Sequence, residues 1–324
     1  MDEPTRRLLP HADTGPAWDA LLADDAALRA GVLAIAGRHR VALDGGGPLR
    51  YDSGSLPVYA LSDRHVLKLY PPHEGEHAEV EARVLAFVDG RLPIATPRVL
   101  ATGKQDGWHY LLMSRLAGRR LVEAWSTLDA RDRDRIADET GAALAALHGL
   151  DIAPVETLPP DWNAFVAAQR HSAVERQRER RLAPHWLALI DPFLEAWMPS
   201  APARRVLLHT EVMREHLMID ARAGGGGVSV SGLFDFEPAM IGDQDYEFAS
   251  FGLFVSRGEA RLLRRALLAY GRRADELDDA LACRFMAHAL LHRYSNLRWY
   301  LERVPVSGAT TLEALAHAWW SAAA

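Results

Sequence analysis

The sequence predicts an α+β protein, with a small mixed-sheet lobe near the N-terminus and a larger, mainly helical lobe after it. Three observations carry this. Between Leu43 and Gly118, short alternating or apolar runs are bounded by Gly, Pro and Asp, the pattern of strands and turns. From Leu121 onward, apolar residues recur at three- and four-residue spacing, the pattern of amphipathic helices. Set into the helical half is one strand–loop–hairpin: the apolar run Val206–Leu208, a polar loop, the short run Leu217–Ile219, and the returning run Val228–Phe234, which delivers Asp235.

The bulk properties agree with a folded protein of this size. The chain has 324 residues, 49% of them hydrophobic and 25% charged, enough for a large core in one domain or two lobes. A formal net charge of −6 argues against a general nucleic-acid partner and mildly favours a cationic ligand. Cys283 is the only cysteine, so no disulfide framework exists, and it sits in an apolar helical context as a core residue. The first residues lack an apolar run after their charges, and no stretch approaches the ~18 apolar residues that span a bilayer. A cytoplasmic protein with no membrane partner, monomeric or dimeric, is expected.

Residues 1–40 read as an N-terminal extension: a polar arm over 1–16, then one or two amphipathic helices from Ala17 to His39 with Trp18, Leu21, Leu28, Val32 and Ile35 at helical spacing. Residues 41–115 form the sheet lobe. Tyr51–Ala60 and Arg64–Tyr70 read as antiparallel strands around a small-residue loop, Ser53-Gly54-Ser55. Such a loop lets backbone N–H groups approach phosphate oxygens, and it also suits an ordinary hairpin. Lys68 shares one strand face with Val66 and Tyr70. A lysine there is costly unless paired or snorkelling. The following helix, His77 to Asp89, offers Glu79 and Glu81 as partners. Pro93–Ala101 leads into a strand that Trp108–Gly118 continues, with Tyr110–Met113 buried.

Residues 116–324 form the helical lobe. Asp129 starts a helix ending near His148, a capping position. Asp161 caps the next, whose arginine-rich stretch to Arg181 reads as a solvated face. Another runs from His185 to Trp197. After Asp235, Asp243 caps a helix over 244–255, and three aromatic-rich helices follow over 258–271, 276–302 and 310–322. The strand–loop–hairpin brings Glu211 and Asp235 to one edge, the chemistry of a base beside a metal ligand. A zinc site from His209, Glu211 and His216 is the weaker alternative, because the spacing is not a helical zinc signature and no cysteine or third histidine lies near.

At these residues the sequence resembles the aminoglycoside phosphotransferase family, the antibiotic kinases of the protein-kinase-like two-lobe fold. The family loop reads His-Gly-Asp, four residues, Asn, followed by an Asp-Phe/Leu-Glu/Asp metal motif. This chain reads His209-Thr210-Glu211, four residues, His216, then Asp235-Phe236-Glu237. The spacing is kept while Asp becomes Glu and Asn becomes His. The resemblance spans about residues 45–255 by motif order. It implies ATP or GTP with Mg²⁺ as cofactors, and a small hydroxylated acceptor. Residues 53–55 would cover the nucleotide phosphates, and Lys68 would grip them, held by Glu81, which precedes the Gly90-Arg-Leu-Pro93 turn at the family spacing. Met113, Ser114, Arg115 and Leu116 would form the hinge, meeting the purine edge through backbone groups. Asp235 would hold metal, with His216, or else Glu215 or water, at the second position. Glu211, beside His209, would be the base, and Asp243 would brace the catalytic loop. The wording of the loop and hinge is most similar to the hygromycin-type O-kinases; a capuramycin-type nucleoside antibiotic or another small metabolite is the alternative acceptor. Loss of both Asp and Asn also fits a nucleotide-binding pseudokinase, against which stand Lys68, Glu81, Asp235 and Glu211 together.

Overall fold

Asp24 opens helix α1 (Asp25–Arg38) by accepting hydrogen bonds from the N–H groups of Ala26 and Ala27 at 3.0 and 3.3 Å. The computed structural model describes residues 7–11, 18, 20–21, 24–52, 54–198, 202, 204–221 and 225–322. The chain divides into two units, Met1–Asp89 with Thr96–Leu116, and Gly90–Ala95 with Ala117–Ala324.

In the first unit, Leu28, Val32 and Ile35 of α1 pack in one core with Tyr59, Leu67, Leu69, Trp108 and Leu112 of a five-stranded sheet. The sheet order is β1 (Leu49–Arg50), β2 (Val58–Ala60), β3 (His65–Tyr70), β5 (Trp108–Ser114), β4 (Val99–Gln105), and every pair is antiparallel. The polar arm expected over residues 1–16 is tied to the sheet where it is described. Leu9 is fully buried, the N–H groups of Leu8 and Leu9 donate to the Asp106 carboxylate at 2.7 and 2.9 Å, and Trp108 Nε1 donates to the Pro10 carbonyl at 2.8 Å. The alternation read as one continued strand is two. Asp106 and Gly107, with φ of 52° and 93°, turn β4 back into β5. Helix α2 (Gly75–Val88) lies against this sheet.

The second unit carries two small sheets and the helices. Strand β6 (Arg119–Arg120) pairs with β8 (Leu217–Ala221), which forms a hairpin with β9 (Val228–Leu233); β7 (Arg205–Leu208) pairs with β10 (Met240–Asp243). Gly224 of the hairpin turn lies outside the described residues. Around them run α3 (Leu121–Ala124), α4 (Ala130–His148), α5 (Trp162–Glu179), α6 (Pro184–Trp197), α7 (Glu247–Ser250), a π-helical turn over Phe251–Ser256, α8 (Ala260–Tyr270), α9 (Asp279–Leu291), α10 (Leu297–Arg303) and α11 (Leu312–Trp320). Asp129 and Asp161 cap α4 and α5 as expected. Gly141 lets α4 approach α8 closely, since a Cβ there would stand 2.2 Å from the Ala266 carbonyl oxygen.

Two readings change here. The helix expected over 276–302 breaks at residues 292–296, and Asn296 restarts it by accepting the Trp299 N–H at 3.1 Å. On the arginine-rich face of α5, Arg176 turns inward and donates to the carbonyls of His292 and Leu290 at 3.2 and 3.5 Å. Among the described residues, no helix is long and apolar enough to cross a membrane.

Candidate active site

In the first unit, Lys68 sits on the central strand β3, in register with Val58 on one side and Leu111 on the other. Its ammonium lies 2.8 Å from Glu81 Oε2, with the two side chains 6% and 2% exposed. The Tyr70 hydroxyl donates to the same carboxylate oxygen. Helix periodicity explains the choice between acids. Glu81 falls on the buried stripe of α2 with Val80, Val84 and Leu85, whereas Glu79 is exposed. A buried pair needs such extra hydrogen bonding to offset desolvation.

The small-residue loop joins β1 to β2. Gly54 has φ of +115°, a value that requires glycine, and Ser55 is exposed; Ser53 lies outside the described residues. Along the segment expected to meet a purine, the Ser114 N–H donates to the Arg98 carbonyl at 2.9 Å and the Arg115 N–H to the Arg64 carbonyl at 2.8 Å. Those two donors are committed to the unit itself, which leaves the main-chain carbonyls of this segment as the groups for a purine edge. Met113 continues β5 in register with Val66 and Val99, and Leu116 ends the unit.

In the second unit, β7 ends at Leu208 and the polar loop begins. His209 is fully buried, and burial pushes its ring down to about 4, so it is neutral at ordinary pH. Its Nε2 donates to the Phe234 carbonyl at 2.9 Å, which leaves Nδ1 to accept the Glu211 N–H at 3.2 Å. Both ring nitrogens are thus engaged. This corrects its reading as a catalytic group: it ties the loop to the β9 exit. Thr210 takes φ of +75°, where the family loop has glycine, and Asp235 takes +72°. For a β-branched residue that conformation is strained and must be held by its surroundings. Glu247 holds it from below, accepting the N–H groups of His209 and Thr210 at 2.7 and 2.8 Å. From above, Ser250 Oγ and His292 Nε2 donate to the Thr210 carbonyl at 2.5 and 3.1 Å.

Glu247 therefore occupies the bracing role expected of Asp243. Asp243 is buried, accepts the Asp245 N–H at 3.0 Å as a cap, and lies beside His288. Glu247 was discoverable. A carboxylate within Tyr246-Glu-Phe-Ala-Ser-Phe on an apolar helical stretch demands a buried partner. His148 is one, at 3.4 Å, itself bonded to the Tyr270 hydroxyl at 2.8 Å. Arg214 anchors the middle of the loop. It donates to the Val255 carbonyl at 2.6 and 2.9 Å and lies over the Trp125 ring at 3.4 Å. Its sequence gave no signal of this.

The loop delivers Glu211, His216 and Asp235 to one place. One ligand atom of each lies within 4.8 Å of the others. His216 Nδ1 is 2.9 Å from the Glu211 main-chain carbonyl, and Nε2 is 3.2 Å from Asp235 Oδ2. Burial pushes the Glu211 carboxyl up to about 7; His216 pulls it down, Asp235 and Glu237 add to the rise, and Arg293 opposes them. A carboxyl poised near neutrality can take a proton from a hydroxyl. The two carboxylates are hard oxygen donors that fit a divalent cation such as Mg²⁺, and the nitrogen of His216 is the exception.

A family model described as APH, phosphotransferase enzyme family, matches residues 49–283. The fold is similar to that of the GDP complex of wild-type aminoglycoside 2′-phosphotransferase-IIIa, at 16% identity and a TM-score of 0.67 over 89% of this chain and 97% of that one. It is also similar to macrolide 2′-phosphotransferase MphH from Brachybacterium faecium, at 22% identity and a TM-score of 0.60 over 89% and 97% of the two chains. A third similar structure is a streptomycin–ATP–APH(2″)-IIa ternary complex, at 15% identity and 0.59 over 90% and 98%.

Proposed function

We propose, from the premise that the chain belongs to the APH phosphotransferase enzyme family, that it moves the γ-phosphoryl group of ATP or GTP to a hydroxyl of an antibiotic. The observation that carries the reading is the convergence of Glu211, His216 and Asp235 within 4.8 Å on a braced loop. Phosphoryl transfer asks a protein for positioning and charge neutralisation more than for covalent chemistry. Lys68, fixed by Glu81, supplies a cation for phosphate oxygens. Asp235 is the residue that would hold a divalent cation. Such an ion, when bound, neutralises phosphate charge. Glu211 orients the acceptor hydroxyl and accepts its proton. His209, Glu247, Ser250 and His292 hold the loop that carries it.

The first acceptor to try is a hygromycin-type aminoglycoside, in keeping with the loop wording. The similar folds named with macrolide and aminoglycoside phosphotransferases put macrolides and streptomycin in the same panel, and capuramycin-type nucleosides complete it. The test is resistance of a sensitive host across that panel, followed by detection of a phosphate ester on the protecting compound. Protection against one class with a phosphorylated product is expected. Nucleotide binding without transfer to any panel member or to water would favour the pseudokinase reading.

A further inference from the structure

The loop itself fixes how the His216 ring is used. The Glu211 main-chain carbonyl, 2.9 Å from Nδ1, can only accept, so Nδ1 carries the hydrogen. In the neutral ring the lone pair is then on Nε2, and what Nε2 meets at 3.2 Å is Oδ2 of Asp235. An imidazole nitrogen and a carboxylate oxygen at that distance share a positive charge, carried either by a proton or by a metal ion. A ring nitrogen and a carboxylate oxygen bound to one ion at ~2.0–2.2 Å sit roughly 3.0–3.5 Å apart when they are neighbouring ligands. The observed 3.2 Å falls within that range, which an N–H···O contact also occupies. The third acidic atom of the cluster, on Glu211, lies within 4.8 Å of both.

The ring and the backbone beside the carboxylate are also held in place. His216 Nδ1 is pinned by the loop backbone, the kind of outer hydrogen bond that orients a metal-binding imidazole. The Phe234 carbonyl, beside Asp235, is pinned by His209 Nε2 at 2.9 Å. Mg²⁺ takes oxygen ligands and dehydrates reluctantly, whereas imidazole suits first-row transition ions, whose affinity for nitrogen sites rises along the series towards copper. We infer that His216 and Asp235 form a mixed nitrogen–oxygen site that selects an imidazole-accepting first-row divalent ion over Mg²⁺. The inference rests on the phosphotransfer reading for the purpose of the ion, but not for its binding.

The test uses the full chain without nucleotide and Co²⁺ as probe, because its visible absorption reports nitrogen ligation. Calorimetry measures affinity alongside. The chain has 14 histidines, so the readout is the difference between wild type and His216→Asn, which replaces nitrogen by an amide oxygen. Wild type should bind Co²⁺ at least ~10-fold more tightly than His216→Asn, as loss of a ligand should cost no less than loss of a supporting partner. An equal concentration of Mg²⁺ should not displace it. Equal Co²⁺ affinity in the two proteins overturns the inference, and so does displacement from wild type by equimolar Mg²⁺, a measurement that needs no variant. A proton shared between Nε2 and Oδ2 is the rival occupant, and it would give the first of these results. Failure of the phosphotransfer reading would show separately, as no phosphoryl transfer with either ion, and would leave the binding result standing.

Discussion

Replacing Glu211 by Gln keeps the size and polarity of the side chain and removes its proton chemistry. The wild-type carboxyl is pushed from 4.5 to about 7, first by burial and then by the Asp235 and Glu237 carboxylates. Its folded value lies above its unfolded value, so its contribution to stability is fully present below 4.5 and is lost as pH rises through about 7. At about 1.4 kcal/mol per pH unit, that interval caps the loss at about 3 kcal/mol. Glu211→Gln escapes it. The variant should match wild type near pH 4 and exceed it at pH 8 by up to about 3 kcal/mol in denaturant unfolding. Turnover should move the other way, falling on the order of 10²–10⁴-fold while nucleotide still binds. In wild type, kcat/KM should rise with pH towards about 7 and then level, because the base acts only when ionised. A bound cation would move that limb to lower pH. The reasoning is refuted if Glu211→Gln keeps turnover within threefold of wild type, or if its stability advantage is the same at pH 4 and pH 8.

Two further predictions follow from the same geometry. Lys68→Ala strands the buried Glu81 carboxylate, so it should lower stability by about 3–5 kcal/mol and impair nucleotide use by on the order of 10²-fold. Lys68→Met with Glu81→Gln should recover most of the stability but none of the activity; recovery of both would remove Lys68 from the phosphate site. Thr210→Gly relieves the strained φ of +75° at the expense of backbone entropy, so thermal unfolding should show a gain of about 1 kcal/mol. A loss of similar size would mean that the hydroxyl and its contact to Pro238, at 3.4 Å, matter more than the strain.

Much of this was legible because the relevant signals are local. Asp129 and Asp161 announce their helices by capping chemistry, and Glu81 stands out from Glu79 by its spacing to the Gly90-Arg-Leu-Pro93 turn. The strand–loop–hairpin is visible as a change of period from helix to strand and back. What stayed hidden depends on contacts between distant segments. Leu9 is anchored by Asp106, 97 residues away, and nothing in a polar N-terminal stretch encodes that. The break at residues 292–296 arises because His292 turns in to the Thr210 carbonyl, 82 residues away, overriding a strong helical pattern. Asp243 ends β10 and Glu247 opens α7 four residues later, and only the position of the catalytic loop decides which of the two acids braces it. The inward turn of Arg176 is likewise set by the carbonyls that this break exposes.

The central claim is that the loop carrying Glu211, with the carboxylate of Asp235, transfers phosphoryl groups to a hydroxyl. The most direct measurement is phosphorus NMR of the acceptor after incubation with ATP and divalent cation, comparing wild type with Asp235→Ala at matched thermal stability. Wild type should yield a phosphate ester, and the variant, folded but without the metal carboxylate, should yield none above background. Retention of more than about a tenth of wild-type kcat by Asp235→Ala, a rise in the barrier of under ~1.4 kcal/mol, would contradict the account.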